Sequence, residues 1–464
     1  MWQWMSRRWF GMCAFLSFAL LLWLVAVGLG PSVFQGYSIA VVVVSAGLVA
    51  SWPLRSALGW FSKQDLFAPW IAFPIAYCVW FFVGSLDLTG DPYPPPYGLI
   101  ALGLGCYLAG VLVGRLGRGG RVEVIQSRVE DTWSPERLRT CLFLIGAVTF
   151  GAYVLIAAQM GIPGLRPNAG EERLKLLNYG KSQFVFLCGA WTVLVFLGTR
   201  LWVGRGKSKS NVRILLLIAL FSFMILSLGS RDNLLTPVAT LLIARHYLYR
   251  RTNLRWAIPL AAIAFVGASA LGWARDTAVY SGTSFWALGL TARSSFFLYY
   301  YVHDSVTVLR DIVDLIPRST PYQHGYLSFG ALASLLPGHH VSNDMFFRQL
   351  VGLDFVGFGS PATLLGPMYG DFGVWGVAVQ MLALGYGYTR LYFWMHGSPT
   401  VLRALIYGWT SQVVLYSLLT SLLGYLALVA VPLGWLALHG VLRSEAKQSS
   451  SVISDGRSQV AVAL

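Results

Sequence analysis

Apolar runs of about twenty residues follow one another along almost the whole chain, and they narrow the fold to one class. In hydrocarbon no water meets backbone N–H and C=O groups, so a crossing segment must satisfy them within a helix or a closed barrel. The runs are continuous rather than alternating, which selects helices. They fall at 10–29, 38–54, 66–86, 98–114, 141–160, 182–202, 213–228, 233–249, 256–273, 372–394, 402–420 and 422–442. The expectation is an all-α polytopic membrane protein of about twelve transmembrane helices, with residues 1–464 forming a single membrane domain. Composition agrees: 56% of residues are hydrophobic and 11% charged, against about 25% charged in a soluble domain.

Lys and Arg bias in the short loops sets the orientation. The first run follows Arg7 and Arg8 and lacks a small-residue cleavage site, so it is read as an uncleaved anchor. With the N-terminus inside, alternate loops collect most of the 34 Lys and Arg residues, among them Arg55, Arg115, Arg139, Arg205, Arg250, Arg390 and Arg443. Both termini are then cytoplasmic, and the Ser- and Gln-bearing tail 444–464 is expected to be disordered. The net charge of +15 lies in these loops rather than on a soluble basic face, so it does not suggest nucleic acid. All five cysteines lie in or at the ends of apolar runs, without metal or disulfide spacing. The chain has no Walker loop, dinucleotide fingerprint or zinc motif, so neither metal nor cofactor is expected.

One long extracytoplasmic loop, 274–371, holds most of the titratable chemistry. It carries Arg275, Arg293, Arg310, Arg318 and Arg348, and four of the seven histidines. Residues 284–302 are apolar enough to enter the bilayer. A full crossing there would invert every later loop, so the segment is read as re-entrant or interface-lying. Val302, Val306, Leu309, Val313 and Ile316 then repeat at helical spacing, opposite His303, Asp304, Thr307, Asp311 and Asp314. This describes an amphipathic helix at the membrane surface, ended by Pro317. Other outer segments are a proline-rich loop at 86–98, GIPGLRPNAGEERLKLLNYG at 161–180 with a short helix at 169–177, and a tight Gly-Ser-Arg-Asp apex at 229–232.

Arg231 is the sharpest candidate, because the inside bias of basic residues disfavours a cation at an outer apex unless it is paired or functional. Pairing with Asp232 or snorkelling to headgroups is its ordinary alternative. Arg275, just past a span end, and Arg293, within an apolar stretch, carry the same question. Arg173 and Lys175 either pair with Glu171 and Glu172 on a short helix or bind phosphate. Arg310 precedes Asp314 by one helical turn, which favours an internal pair, and Arg348 is a loop arginine whose partner the sequence does not name. Candidate general bases are Asp276, Asp304, His339 and His340, with Asp371 an equal alternative to Asp276. Outside the membrane there is no nucleotide pool, so a reaction there needs a substrate already activated, most simply a lipid-linked pyrophosphate. Arginine suits that leaving group, because its planar fork binds phosphate oxygens bidentately.

These pieces resemble the O-antigen or oligosaccharide repeat-unit polymerases of the Wzy type. The resemblance rests on GIPGLRP with Arg173 and Lys175, on the Gly229–Arg231 apex, and on Arg275 at the entry to a large loop. It rests also on HGYLSFGALASLLP, ending at Pro337, and on TLLGPMYGDFGVWG, which contains Tyr369. It covers roughly 140–395. It implies a glycosyltransferase fold of the C type and an inverting, metal-independent transfer. The growing glycan would pass from undecaprenyl pyrophosphate to a lipid-linked repeat unit at the outer face of the bacterial inner membrane. Arg231, Arg275, Arg293, Arg173, Lys175, Arg348 and Tyr369 would hold the pyrophosphate and glycan. The lipid-linked oligosaccharide, the bilayer, a chain-length regulator and a flippase are the implied partners. Members often have Pro-Arg where this chain has Pro337-Gly338, which leaves His339 or His340 to stand in. A ligase of the same superfamily, or a lipid-linked oligosaccharide flippase, remains the alternative.

Overall fold

The computed structural model describes residues 65–85, 94–116, 133–162, 180–203, 208–228, 232–248, 290–330, 343–352, 362–397, 400–419 and 426–442. Among these residues the protein is all-helical. The helices are α1 (Ala72–Ser85), α2 (Tyr97–Arg115), α3 (Pro135–Met160), α4 (Gly180–Val203), α5 (Ser208–Ser227), α6 (Asp232–Leu248), α7 (Leu290–Leu315), α8 (Asn343–Val351), α9 (Leu365–Gly397), α10 (Val401–Tyr416) and α11 (Leu426–Leu442). Tyr97–Arg115, Glu136–Gln159 and Ser182–Leu201 are long and apolar enough to cross a membrane, and shorter apolar helices cover Ala72–Ser85, Asn211–Ser227 and Val429–Leu442. The outward side chains are apolar too: Phe143 is 74% exposed and Trp375 79%, which suits a surface that faces lipid. The expected spans at 10–29, 38–54 and 256–273, the helix at 169–177 and the tail 444–464 lie outside the described residues.

Local signals place several helix ends. The Ser134 side chain accepts from the Arg137 N–H at the start of α3, Pro135 takes the first helical position, and Glu136 adds an acid to the first turn. Gly161, at φ 76°, closes the same helix in a backbone that a side chain would strain. Thr400 caps α10 through the Arg403 N–H. The run read as 66–86 becomes helical only at Ala72, after a turn from Asp65 through Ile71. The run read as 372–394 begins earlier, at Leu365, and breaks at Phe372 and Gly373, where Gly373 has φ 61° and ψ −146°.

Packing centres on α9 against α2, α6 against α10, and α3 against α4. α2 and α9 run parallel. Gly103 lies beside Leu365 and Val377, Gly110 beside Leu382 and Tyr386, and Gly114 beside Tyr386 and Thr389. A Cβ on Gly110 would run into the Leu382 carbonyl oxygen, and one on Gly385 into that of Tyr107. Small residues at such crossings let backbones approach where lipid supplies no hydrophobic drive. At one end of the bundle the turn at Asp65, the C-terminal ends of α6 and α9, and the N-terminal half of α10 meet. At the same end by helix direction, the Ser134 N–H donates to Leu442 O and the Trp133 indole N–H to His439 Nδ1. The end of α1, the segment 316–330, α8 and the start of α9 make the opposite end.

Two expectations about the long loop change. Residues 284–302 and 302–316 were read as separate elements, but 290–315 is one helix, α7. Its apolar face is covered by protein rather than by the bilayer surface: Val302, Val306, Leu309, Ile312 and Ile316 are buried, and α7 packs on α1, α8 and α9. Gly84 explains the fit, since a Cβ there would strike the Val306 side chain.

Candidate functional site

The loop end of the bundle is organised around a small apolar knot. Ile312 from α7, Ile316 just past its end, Leu327, Phe347 from α8, and Leu365 and Met368 from α9 are all buried. Gly366 and Gly370 give these side chains room on α9: a Cβ at Gly366 would crowd Ile312, and one at Gly370 would crowd Leu327. The segment after α7 is tied to the break in α9 through its backbone. The Gln323 N–H donates to Gly370 O at 3.0 Å and the His324 N–H to Asp371 O at 3.2 Å. The Asp371 carboxylate, 0% exposed, accepts the Leu327 N–H at 3.0 Å on Oδ1 and the Ser328 N–H at 2.6 Å on Oδ2. Asn343 adds a donor to Leu327 O at 2.7 Å. Asp371 is therefore corrected from a candidate base to a buried anchor: both of its oxygens are committed to backbone amides, and neither meets solvent.

Tyr369 lies in the same knot. Only 9% exposed, it donates from its hydroxyl to Ile316 O at 3.4 Å and meets the Tyr322 ring at a 6.4 Å centroid distance. Asp314 and Arg318 are near enough to act on it electrostatically. Arg318 and His324 are exposed and Tyr322 is half-buried, so these three form the accessible edge of the segment. Both His324, at φ 50°, and Gly325, at φ 98°, have left-handed backbone.

Asp304 sits further up α7, beside the end of α1. Its neighbours fix the helix there: the Trp80 indole N–H donates to Ser305 Oγ at 3.1 Å, and His303 Nδ1 lies 3.0 Å from Gly84 O. Burial, aided by the Asp311 charge on the same face, pushes the Asp304 carboxyl up to about 6. Asp311 is gripped by Arg310, whose Nε and a terminal nitrogen both lie 3.0 Å from Oδ1. The expected Arg310–Asp314 pair is thus replaced by a neighbour pair, and Asp314 is exposed.

Two of the described candidates, Asp304 and Tyr369, stand well apart along α7. Asp304 and the Ile316 carbonyl that Tyr369 reaches are separated by about 18 Å of helix. Arg348 is on α8, half-buried, and Arg293 falls in the first turn of α7. Arg173, Lys175, Arg231, Arg275, Asp276, His339 and His340 lie outside the described residues. Arg231 belongs to the four residues, 228–231, between α5 and α6.

A second constellation escaped the sequence reading. At the opposite end of α9, about 30 Å from Asp371, the Asp65 carboxylate accepts from the Tyr247 hydroxyl on Oδ1 and the Tyr392 hydroxyl on Oδ2, both at 2.8 Å. His246 Nε2 lies 3.3 Å from Oδ1 and His396 Nε2 3.8 Å from Oδ2. Around it the Tyr407 hydroxyl donates to Phe67 O, and the Arg115 guanidinium lies over the Trp70 ring at 4.6 Å. This one carboxylate joins its own turn to α6 and α9, and Tyr407 ties α10 to the same turn. Asp65, His246 and His396 each stand at a span end, which was the available signal, but nothing in their spacing links them. Among the described residues no group of His, Cys, Asp or Glu fits a metal ion.

An all-helical bundle with a lipid-facing apolar exterior, and with its polar chemistry gathered at its two ends, defines an integral membrane protein. The comparisons narrow the class. Residues 66–426, most of the chain, match the family described as "Putative O-antigen polymerase", and the chain belongs to that family. No curated protein and no solved structure matches it. The family makes this a polymerase of polysaccharide biosynthesis, a membrane enzyme of the glycosyltransferase kind acting on lipid-linked oligosaccharide.

Proposed function

We propose that the protein transfers a growing glycan from undecaprenyl pyrophosphate to a lipid-linked repeat unit at the outer face of the cytoplasmic membrane. The family match over 66–426 carries this reading. The acceptor hydroxyl attacks the anomeric carbon of the donor glycan and the bond to the pyrophosphate oxygen breaks. The hydroxyl proton passes to a carboxylate, and the diphosphate leaves with the bonding electron pair. Arg231, Arg275 and Arg293 neutralise that developing charge, with Arg173, Lys175 and Arg348 further along the glycan or pyrophosphate. Asp304 is the favoured base among Asp276, Asp304, His339 and His340, because a carboxyl near 6 is ionised at neutral pH yet basic enough to take a proton. The transfer inverts the anomeric centre and needs no metal.

Arg231→Ala and Arg275→Ala test the arginine assignment. Each variant should reach the membrane at normal level and give surface glycan of a single repeat. Normal chain lengths would remove both residues from the site. Deletion of the whole gene separates this reading from that of a ligase: a missing polymerase leaves single lipid-linked units, whereas a missing ligase leaves long lipid-linked polymer.

A further inference from the structure

We propose that Asp371 is a positioning residue, and that the edge it holds in place, Arg318, Tyr322 and His324, is a glycan-contacting subsite. This rests on the polymerase reading. The segment 317–329 is built of turns, with a few local bonds such as Tyr326 N–H to Gln323 O and Phe329 N–H to Gly325 O, and has no continuous ladder to fix its shape. What fixes it is the break in α9. Two backbone amides of the segment donate to the Gly370 and Asp371 carbonyls, and two more to the Asp371 carboxylate. A buried carboxylate spending both oxygens on backbone amides is a strong, directional tie. It stands beside His324, whose φ of 50° is left-handed for a residue with a side chain. Strained backbone persists only where its surroundings over-determine it, and such places gather at binding sites.

The side chains presented by this device suit a sugar. Tyr322 offers a ring face, His324 an exposed imidazole beside the Phe372 ring at 6.3 Å, and Arg318 an exposed guanidinium. Aromatic faces with hydrogen-bonding groups at their margins complement the apolar face and hydroxyl rim of a pyranose. Arg318 adds attraction for an acidic sugar or a phosphate. Tyr322 is itself wedged in place, since a Cβ on Gly373 would meet its hydroxyl and ring.

The test uses Ser319→Cys, an exposed position within the edge, in the full-length protein. Its reaction with an impermeant maleimide is timed with and without lipid-linked repeat units extracted from the host. Expected are clear protection by the repeat units in the otherwise unchanged protein, and faster labelling without protection after Asp371→Asn. Asparagine keeps the shape, but its amide NH2 opposes one of the two backbone donors. The Michaelis constant for the repeat unit should rise about tenfold or more, while the thermal stability of the detergent-solubilised bundle changes little. His324→Asn, which retains a residue tolerant of left-handed backbone, should weaken protection without altering the tie; it carries the test if Asp371→Asn does not reach the membrane. Absent protection in the parent overturns the subsite, and unchanged labelling in Asp371→Asn overturns the tie. If protection occurs but no polymer forms from lipid-linked units, the polymerase reading fails while the subsite stands.

Discussion

Three aspartates of this chain share a side chain and differ in what replaced its water. Asp371 gave up solvent for two backbone amides, and Asp65 for two tyrosine hydroxyls and a histidine. Asp304 lost solvent to burial with a like charge nearby, so its proton is held to about 6 against an ordinary 3.8. The consequences for catalysis and for stability have opposite signs. As a base, Asp304 must be ionised, so the polymerisation rate should rise with pH through about 6 and then level off. Asp304→Asn should give a low, flat profile. For folding, a raised carboxyl pKa means the folded state holds its proton more tightly. That contribution is present below the unfolded value and is lost as pH rises from 3.8 through about 6. At neutral pH Asp304→Asn should then be neutral, or stabilising by up to about 3 kcal/mol. Activity against pH together with thermal unfolding at pH 7 checks both halves. A variant that lost activity and stability together would be a packing lesion and not a lost base.

At the scale of elements, hydrophobic pattern located the long apolar helices among the described residues, because it reports burial in lipid and needs no knowledge of neighbours. What pattern cannot convey is which face meets which helix. Gly385 and Gly387 lie two residues apart in the same Gly-Tyr-Gly-Tyr stretch of α9 and read alike in sequence. In the fold a Cβ on Gly385 would collide with the Tyr107 carbonyl of α2, whereas one on Gly387 meets nothing within 4 Å. Gly385→Ala should push two backbones apart and cost about 1–3 kcal/mol or more, seen as a lower unfolding temperature and less protein in the membrane. Gly387→Ala should be harmless, or stabilising by about 1 kcal/mol through helix propensity. Equal effects would mean that the α2–α9 crossing is elsewhere. The same blindness to partners explains α7. Its amphipathic face was legible, but that face suits a membrane surface and the side of α1 equally well. Only Gly84 opposite Val306 decides between them.

For the whole molecule, α9 is the shaft that joins two polar ends. The Asp371 tie and its loop occupy one, and the Asp65 cluster gathers α6, α9 and α10 at the other. The loop stood out in the sequence as the proposed working end because charges and histidines concentrate there. The Asp65 cluster was not legible, since its members are one or two polar residues each on the Asp65 turn, α6, α9 and α10, and only closure of the bundle brings them together. Among the described residues Arg115, Arg390 and Arg403, which the basic-loop bias puts inside, all lie toward the Asp65 end. The bias also says which end faces the cytoplasm, and labelling can check it. A cysteine at exposed Ser319, on the loop end, should react with an impermeant maleimide in intact cells whose outer barrier has been opened. A cysteine at exposed Arg390, near the other end of α9, should react only after the cytoplasmic membrane is permeabilised. Cys78, Cys106, Cys141 and Cys188 are free thiols on helices, so the parent protein supplies the background rate. Reversed accessibility would place the Asp371 loop in the cytoplasm, where an outer-face polymerase would have no use for it.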